Sequence, residues 1–229
     1  MQLSSNTIAI LKNFAVINQG IYFRQGKVLK TVSSQKNILA EVVLDQEIPK
    51  DFGVYDLNNF LSVVSLHKDD SNFEFDDKHV IIVGNGGRSK VKYRFCEPTM
   101  IVTPPDKQLT MPSSEISFTL KREDFDWTMR AASILSSPQI AIESDGSVVS
   151  IVTIDLQNDS AHTDSLVLDG VESNGAIYKM IFKTENLSKI LMGSYDVKIS
   201  SKGISHFVNK EIDLQYWVST EAGSVYNKV

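Results

Sequence analysis

The chain has 229 residues, a formal net charge of −5, and 42% hydrophobic and 22% charged residues. This is the composition of an ordinary globular protein, not a disordered one, and the length suits one large domain or two of roughly 110 residues. The net negative charge argues against nonspecific nucleic-acid binding through the overall field, and leaves open a local basic surface.

In chain order, the pattern predicts a helix over 5–16, then strands I-Y-F-R (21–24), V-L-K-T-V (28–32) and I-L-A-E-V-V-L (38–44). A second helix follows over 56–67, capped by Asp56 and burying Leu57, Phe60, Leu61 and Val64. Strands H-V-I-I-V (79–83) and V-K-Y-R-F (91–95) close the first half. After the irregular, proline-punctuated stretch 96–112 the same order returns. The second half has I-S-F-T-L (116–120), a helix over 122–135 and strands at 139–143, 148–154, 165–168 and 177–182. A helix over 184–192 and strands at 197–200, 204–208 and 213–218 complete it. Glycine turns at Gln25-Gly26, Asn85-Gly86, Asp145-Gly146 and Lys202-Gly203 join many of the strands, which points to antiparallel sheets. The reading is therefore a duplicated α+β unit: domains 1–97 and 113–229 joined by a connector over 98–112.

The helices share a character. The first is expected to bury Ile8, Leu11 and Ala15 and to show Ser5, Ala9 and Lys12. The second shows Asn58, Asn59, Ser62 and Ser65. The third buries Phe125, Met129 and Ala132 and shows Arg122, Asp126, Arg130 and Ser133. The fourth turns Leu187, Ile190 and Leu191 inward and leaves Glu185, Ser188 and Lys189 outside. Any one of these faces reads as a plain solvated surface. Four of them in repeated positions point towards a shared surface.

No motif supports catalysis. V-G-N-G-G-R-S-K (83–90) resembles a phosphate-binding loop, but it lies between two strands and reads as a hairpin turn. His67, His79, His162 and His206 are scattered, without metal-ligand spacing to one another or to Cys96. There is no G-x-S-x-G elbow, and E-S-D-G-S (143–147) lacks the other ligands of a calcium loop. The sequons at 158–160 and 186–188 have no meaning in a chain whose M-Q-L-S-S-N-T start lacks the regions of a signal peptide. No apolar run is long enough to span a bilayer. The single cysteine, Cys96, favours a reducing compartment and reads as a packed residue. The expectation is a non-enzyme without cofactor or metal.

L-K-N-F-A-V-I-N-Q-G-I (11–21), Ala40-Glu41 and D-F-G-V-Y-D-L-N-N-F-L-S-V-V-S-L-H-K-D-D (51–70) resemble the sliding clamp of T-even and related bacteriophages. V-T-P-P-D-K-Q-L-T-M-P (102–112), N-D-S-A (158–161) and M-G-S-Y-D-V-K-I (192–199) continue the resemblance more weakly. It implies two duplicated DNA-clamp domains, with sheets outside and helices lining a ring made by a head-to-tail homotrimer around double-stranded DNA. It implies as partners the phage replicative polymerase and an ATP-driven clamp loader, with late-transcription proteins as further partners, all in the cytoplasm of the infected bacterial host. The DNA-facing candidates are Lys12, Lys121, Arg122, Arg130 and Lys189. Lys12 and Arg130 match family positions for a base, and the other three rest on helical position alone. Ser5 stands where relatives often carry lysine, and Glu123, Asp124 and Asp126 dilute the third helix. By the same analogy, subunit contacts fall on Tyr93 and Phe95 of one edge strand and on Ser165 and Val167 of another. Either strand could instead be covered by a loop. Ile101, Val102, Leu109 and Met111 are candidates for a partner-peptide pocket or for packing at the connector. The alternative reading is a non-enzymatic structural protein of phage assembly.

Overall fold

The computed structural model describes residues 1–67, 71–107 and 109–227, which form two compact units, Met1–Asp106 and Lys107–Val229. In the first unit, α1 (Ser5–Ile17) is followed by β1 (Ile21–Phe23), β2 (Gly26–Val32), β3 (Ile38–Ile48) and β4 (Phe52–Val54). Then come α2 (Leu57–Ser65), β5 (Asn72–Phe75), β6 (His79–Gly84) and β7 (Ser89–Arg94). The second unit begins with β8 (Ile116–Leu120) and α3 (Arg122–Ile134). The strands β9 (Gln139–Asp145), β10 (Val149–Ile154), β11 (Ser165–Val167) and β12 (Ile177–Lys183) follow. The unit ends with α4 (Thr184–Leu187), β13 (Tyr195–Ser200), β14 (Ile204–Asn209), β15 (Leu214–Ser219) and β16 (Val225–Asn227). The order helix, four strands, helix, three strands occurs in both units, from α1 and again from α3.

All strand pairs are antiparallel. The first unit holds the β1–β4 pair, the β2–β3 hairpin and the meander β5-β6-β7. The second holds the runs β8-β13-β14-β15 and β11-β10-β9-β12-β16. The β6–β7 hairpin turns where Asn85 and Gly86 both take positive φ, 54° and 63°, a pair of conformations that asparagine and glycine tolerate best. So V-G-N-G-G-R-S-K is a hairpin, as its flanking strands require.

Each helix start is fixed by short side chains. The Ser4 hydroxyl accepts from the Thr7 amide (3.0 Å) and donates to Asp45 of β3 (2.9 Å). The Thr7 hydroxyl reaches the same carboxylate at 3.2 Å. The cap therefore also clips α1 to the sheet. Asp56 caps α2 by accepting from the Asn59 amide at 2.8 Å.

In the first unit's core, Phe23 stacks on Phe52 with ring centroids 4.5 Å apart, and Phe60 of α2 lies among Phe23, Phe73 and Tyr93. In the second, Tyr195 is surrounded by Phe125, Phe207 and Tyr216. α2 buries Leu57, Phe60, Leu61 and Val64, as its periodicity predicts.

Two helices depart from expectation. α1 buries Thr7, Ile10, Leu11, Phe14, Ala15 and Ile17, while Ile8 is only half-buried. This segment is apolar on more than one face, and Phe14, the largest side chain, sets the rotation. The fourth helix is one turn rather than the predicted span 184–192. After Leu187 the chain tightens into i→i+3 bonds, Lys189 to Asn186 (3.2 Å) and Ile190 to Leu187 (3.1 Å), as helix ends commonly do. Met129 and Leu191, expected inside, are half-buried.

Gly53 is where side-chain absence matters most. The Cys96 amide bonds the Gly53 carbonyl at 3.0 Å, and a Cβ on Gly53 would stand 2.6 Å from the Cys96 carbonyl oxygen. Gly53→Ala is expected to force backbone apart and cost roughly 1–3 kcal/mol, read as a lowered denaturation midpoint. An unchanged midpoint would mean the Cys96 segment moves aside freely.

Candidate nucleic-acid interface and subunit edges

The solvent faces of the helices present small polar side chains. α1 shows Ser5, Ala9 and Lys12, and α2 shows Asn58, Asn59, Ser62 and Ser65, all exposed. α1 packs against α2 in the first unit, and α3 against α4 in the second, so each unit presents its helices as a pair.

The five candidate cations divide into two groups. Lys12, Lys121 and Arg122 are exposed, and no carboxylate lies within ion-pair distance of them among the described residues. Arg130 is clamped to Asp126 at 2.5 Å, one helical turn away. Lys189 is largely buried by its pairing with Glu185 at 2.8 Å, and the same bond pulls the Glu185 carboxyl below its ordinary range. Between positions 121 and 134 three cations meet three carboxylates, so α3 carries no net charge. The Asp124 carboxyl is pushed up by partial burial and by the charges of Glu123 and Asp169, although Lys121 opposes this. What remains is a weakly basic, short-chained surface. It suits contact with phosphate oxygens, which are the same at every base pair, and offers nothing built to read base edges.

β7 and β11 are each the outermost strand of their sheet. Tyr93 and Phe95 of the β7 segment turn their rings inward. Tyr93 lies edge-on to Phe60 at 5.2 Å and donates to the Asp56 carbonyl at 3.0 Å, and burial raises its hydroxyl pKa. Phe95 packs on Phe52 at 5.3 Å with the Lys50 ammonium 5.4 Å over its ring. Lys90, Lys92 and Arg94 face outward and are exposed. On β11, Ser165 and Val167 are exposed. Sequence reading missed the three β7 cations, although their i, i+2, i+4 spacing on a strand is visible in S-K-V-K-Y-R.

The four candidate pocket residues are not alike. Ile101 is buried and reaches towards Gly20 and Gly53, so it plugs the β1–β4 pair. Val102 is exposed, and its carbonyl accepts from the Asn18 amide group at 2.9 Å. Leu109 and Met111 are half-buried in the second unit. Two depressions that the sequence did not suggest lie in the first unit. One of about 380 Å³ is lined by Tyr22, Arg24, Val28, Lys30, Pro104 and Pro105. A shallower one of about 670 Å³ is lined by Phe52, Tyr55, Phe95, Pro98 and Met100, among others. Among the described residues no cluster of histidine, cysteine or carboxylate side chains could hold a metal ion, and no helix is long and apolar enough to cross a membrane.

Comparison with known proteins agrees with this geometry. Residues 4–103 match the family described as DNA polymerase processivity factor. The sliding clamp of Vibrio phage KVP40 is 30% identical over 227 residues, covering 97% of this chain and all of the relative. The sliding clamp of Escherichia phage RB69 is 31% identical over 233 residues, covering 99% of this chain and all of that protein. Among solved structures, Archaeoglobus-type PCNA (A. fulgidus) bound to the C-terminal region of FEN-1 superposes with a TM-score of 0.66. That match covers 95% of this chain and 96% of the other at 15% identity, and it carries the fold alone.

Proposed function

The chain belongs to the sliding clamps, the DNA polymerase processivity factors, and we propose that three copies close head to tail into a ring around double-stranded DNA. The ring tethers the phage replicative polymerase to its template in the cytoplasm of an infected bacterium. An ATP-driven loader opens and closes it, and the chain itself performs no chemistry. The segment 98–112 joins the two units as a connector. In the same reading the mobile ring also serves late-transcription proteins. Such partners dock a short peptide near the connector, as the C-terminal region of FEN-1 is bound to A. fulgidus PCNA. Of the four connector residues proposed for that contact, Val102, Leu109 and Met111 are free to contribute, while Ile101 supports them from beneath.

The observation that carries this reading is similarity along the whole chain to sliding clamps of the same length. The helix faces supply its physical sense. Each phosphate contact adds one counterion to the salt dependence of binding. A surface whose free cations are mainly Lys12, Lys121 and Arg122 therefore grips DNA weakly and slides. Retention comes from closure. Loaded clamps are expected to stay on sealed circular DNA through a salt wash and to leave at once when the circle is cut. Equal loss from circles and linear fragments would overturn the ring. Phage assembly as the alternative role predicts large particles and no dependence on a loader.

Lys12→Ala together with Arg130→Ala is expected to lower loading several-fold while leaving the oligomer intact, with Lys12 the larger contributor because Arg130 is already paired to Asp126. Dissociation of the oligomer would show instead that these side chains are structural.

A further inference from the structure

The two exposed sheet edges carry opposite charge. On β7 the Phe95 amide bonds the Lys78 carbonyl at 2.9 Å, which fixes the phase of the ladder with β6. Bonded positions alternate in an antiparallel pair, so Val91 and Tyr93 direct their backbone groups to β6 while those of Lys90, Lys92 and Arg94 face the open side. The side chains of these three lie on the face away from Phe60, and none has a carboxylate partner among the described residues. From Lys78 to Cys96 the sequence holds five lysines and arginines and no carboxylate.

β11 is the reverse. The Thr153 amide bonds the Asp164 carbonyl and the Leu168 amide bonds the Val149 carbonyl, each at 2.9 Å. Leu166 is therefore the residue bonded to β10, and the backbone groups of Ser165 and Val167 face outward. From Ala131 to Tyr178 there are seven carboxylates and no lysine or arginine. Asp159, Asp169 and Glu172 flank β11, are exposed, and make no hydrogen bond or ion pair among the described residues. The mutual repulsion of Asp124, Glu123 and Asp169 at the start of α3 adds to the same excess of negative charge.

Resting on the ring reading above, we propose that the β7 edge of one copy adds as a strand to the β11 edge of a second copy, and that opposite charge on the two edges selects this pairing. An open edge templates any strand that reaches it, its own twin included. Two β7 edges would oppose lysines and arginines to one another, and two β11 edges would oppose carboxylates, so both symmetric dimers are disfavoured. Only the heterologous contact brings cations to carboxylates, and a heterologous contact is the kind that closes a ring. Exposed ion pairs contribute little to affinity singly. Backbone pairing and burial of Val167 hold the contact, while charge sets partner choice and association rate.

Three variants test this by sedimentation: K90E/K92E/R94E, D159K/D169K/E172K, and both sets in one chain. Each single-edge reversal is expected to weaken self-association at least tenfold. The doubly reversed chain, complementary again, should recover to within about threefold of the unaltered protein. Mixing the two single-edge variants should give mixed pairs that cannot close a three-membered ring, because any odd ring of alternating copies leaves one like-charged contact. All three variants should keep the thermal midpoint of the isolated fold, since the changed side chains have no internal partners. As an independent reading, association of the unaltered chain after dilution should slow as salt rises. Trp127, 53% exposed and bonded through its indole N–H to Asp164 at 3.1 Å, reports it by fluorescence, since Trp217 is buried. Full assembly of either single-edge variant, or a salt-independent rate, overturns the charge selection while leaving the ring standing. An unaltered chain that never assembles overturns both.

Discussion

Phe60→Ala is expected to cost about 3–5 kcal/mol, the largest loss of any single truncation in the first unit. Phe60 is 1% exposed and stands where α2 meets three strands, with ring centroids 6.4 Å from Phe23 of β1, 6.2 Å from Phe73 of β5 and 5.2 Å from Tyr93 of β7. Its removal leaves a cavity that three strands border, and rigid hairpins on two sides prevent collapse. The consequence reaches beyond stability. Tyr93 is held by the Phe60 ring and by its bond to the Asp56 carbonyl, so without Phe60 the inward face of β7 loses its support. Self-association should fall along with the denaturation midpoint, and Phe60→Leu should recover most of both. Tyr93→Phe, which deletes only the hydrogen bond, should cost about 1 kcal/mol. A Phe60→Ala chain with an unchanged midpoint would show that α2 is not anchored through this ring.

The same residues show how much of the fold could be read in advance. L-N-N-F-L-S-V-V-S alternates apolar and small polar residues at strict helical spacing, and α2 buries what that spacing demands. Asn85-Gly86 prescribes a tight turn, and both residues take the positive φ it needs. Three strands were not legible. β4 and β16 are three residues long, and β5 is four, too short for alternation to show. They form because a longer neighbour presents an open edge, which is a property of the tertiary structure. The fourth helix was overread for the converse reason: Leu187, Ile190 and Leu191 keep helical spacing while the backbone is held by tertiary bonds. In the site, the pairing of Arg130 with Asp126 and of Lys189 with Glu185 was visible as i, i+4 spacing. That two candidate cations are thereby neutralised needed their side-chain geometry. The edges posed a harder problem. Strand periodicity marks Tyr93 and Val167 equally, but only the phase of the ladder tells which residues leave their backbone groups unpaired.

Tyr195→Phe and Tyr216→Phe should each destabilise the second unit by about 1–3 kcal/mol, and the loss should be concentrated at Leu191. The chain leaves α4 after one turn, so the backbone groups of Leu191 have no helical partners. Its amide instead donates to the Tyr216 hydroxyl at 3.2 Å, and its carbonyl accepts from the Tyr195 hydroxyl. Both tyrosines are fully buried, so each substitution strands one backbone group with little room for water. Because the two bonds share one residue, the double variant should depart from additivity. Burial also pushes the Tyr195 hydroxyl up to about 12 and that of Tyr216 higher still. In the unfolded chain these groups ionise near pH 10, so above that pH the unfolded state holds fewer protons than the folded one. Stability contributed by the raised values is thus complete below about pH 10 and is lost as pH climbs towards the folded values. Denaturant midpoints measured up the alkaline limb should fall steeply for the unaltered chain and less steeply for each phenylalanine variant, by about one proton per tyrosine removed. An equally steep limb in the double variant would assign alkaline unfolding to other groups, and would leave the two hydroxyls with a purely structural role at Leu191.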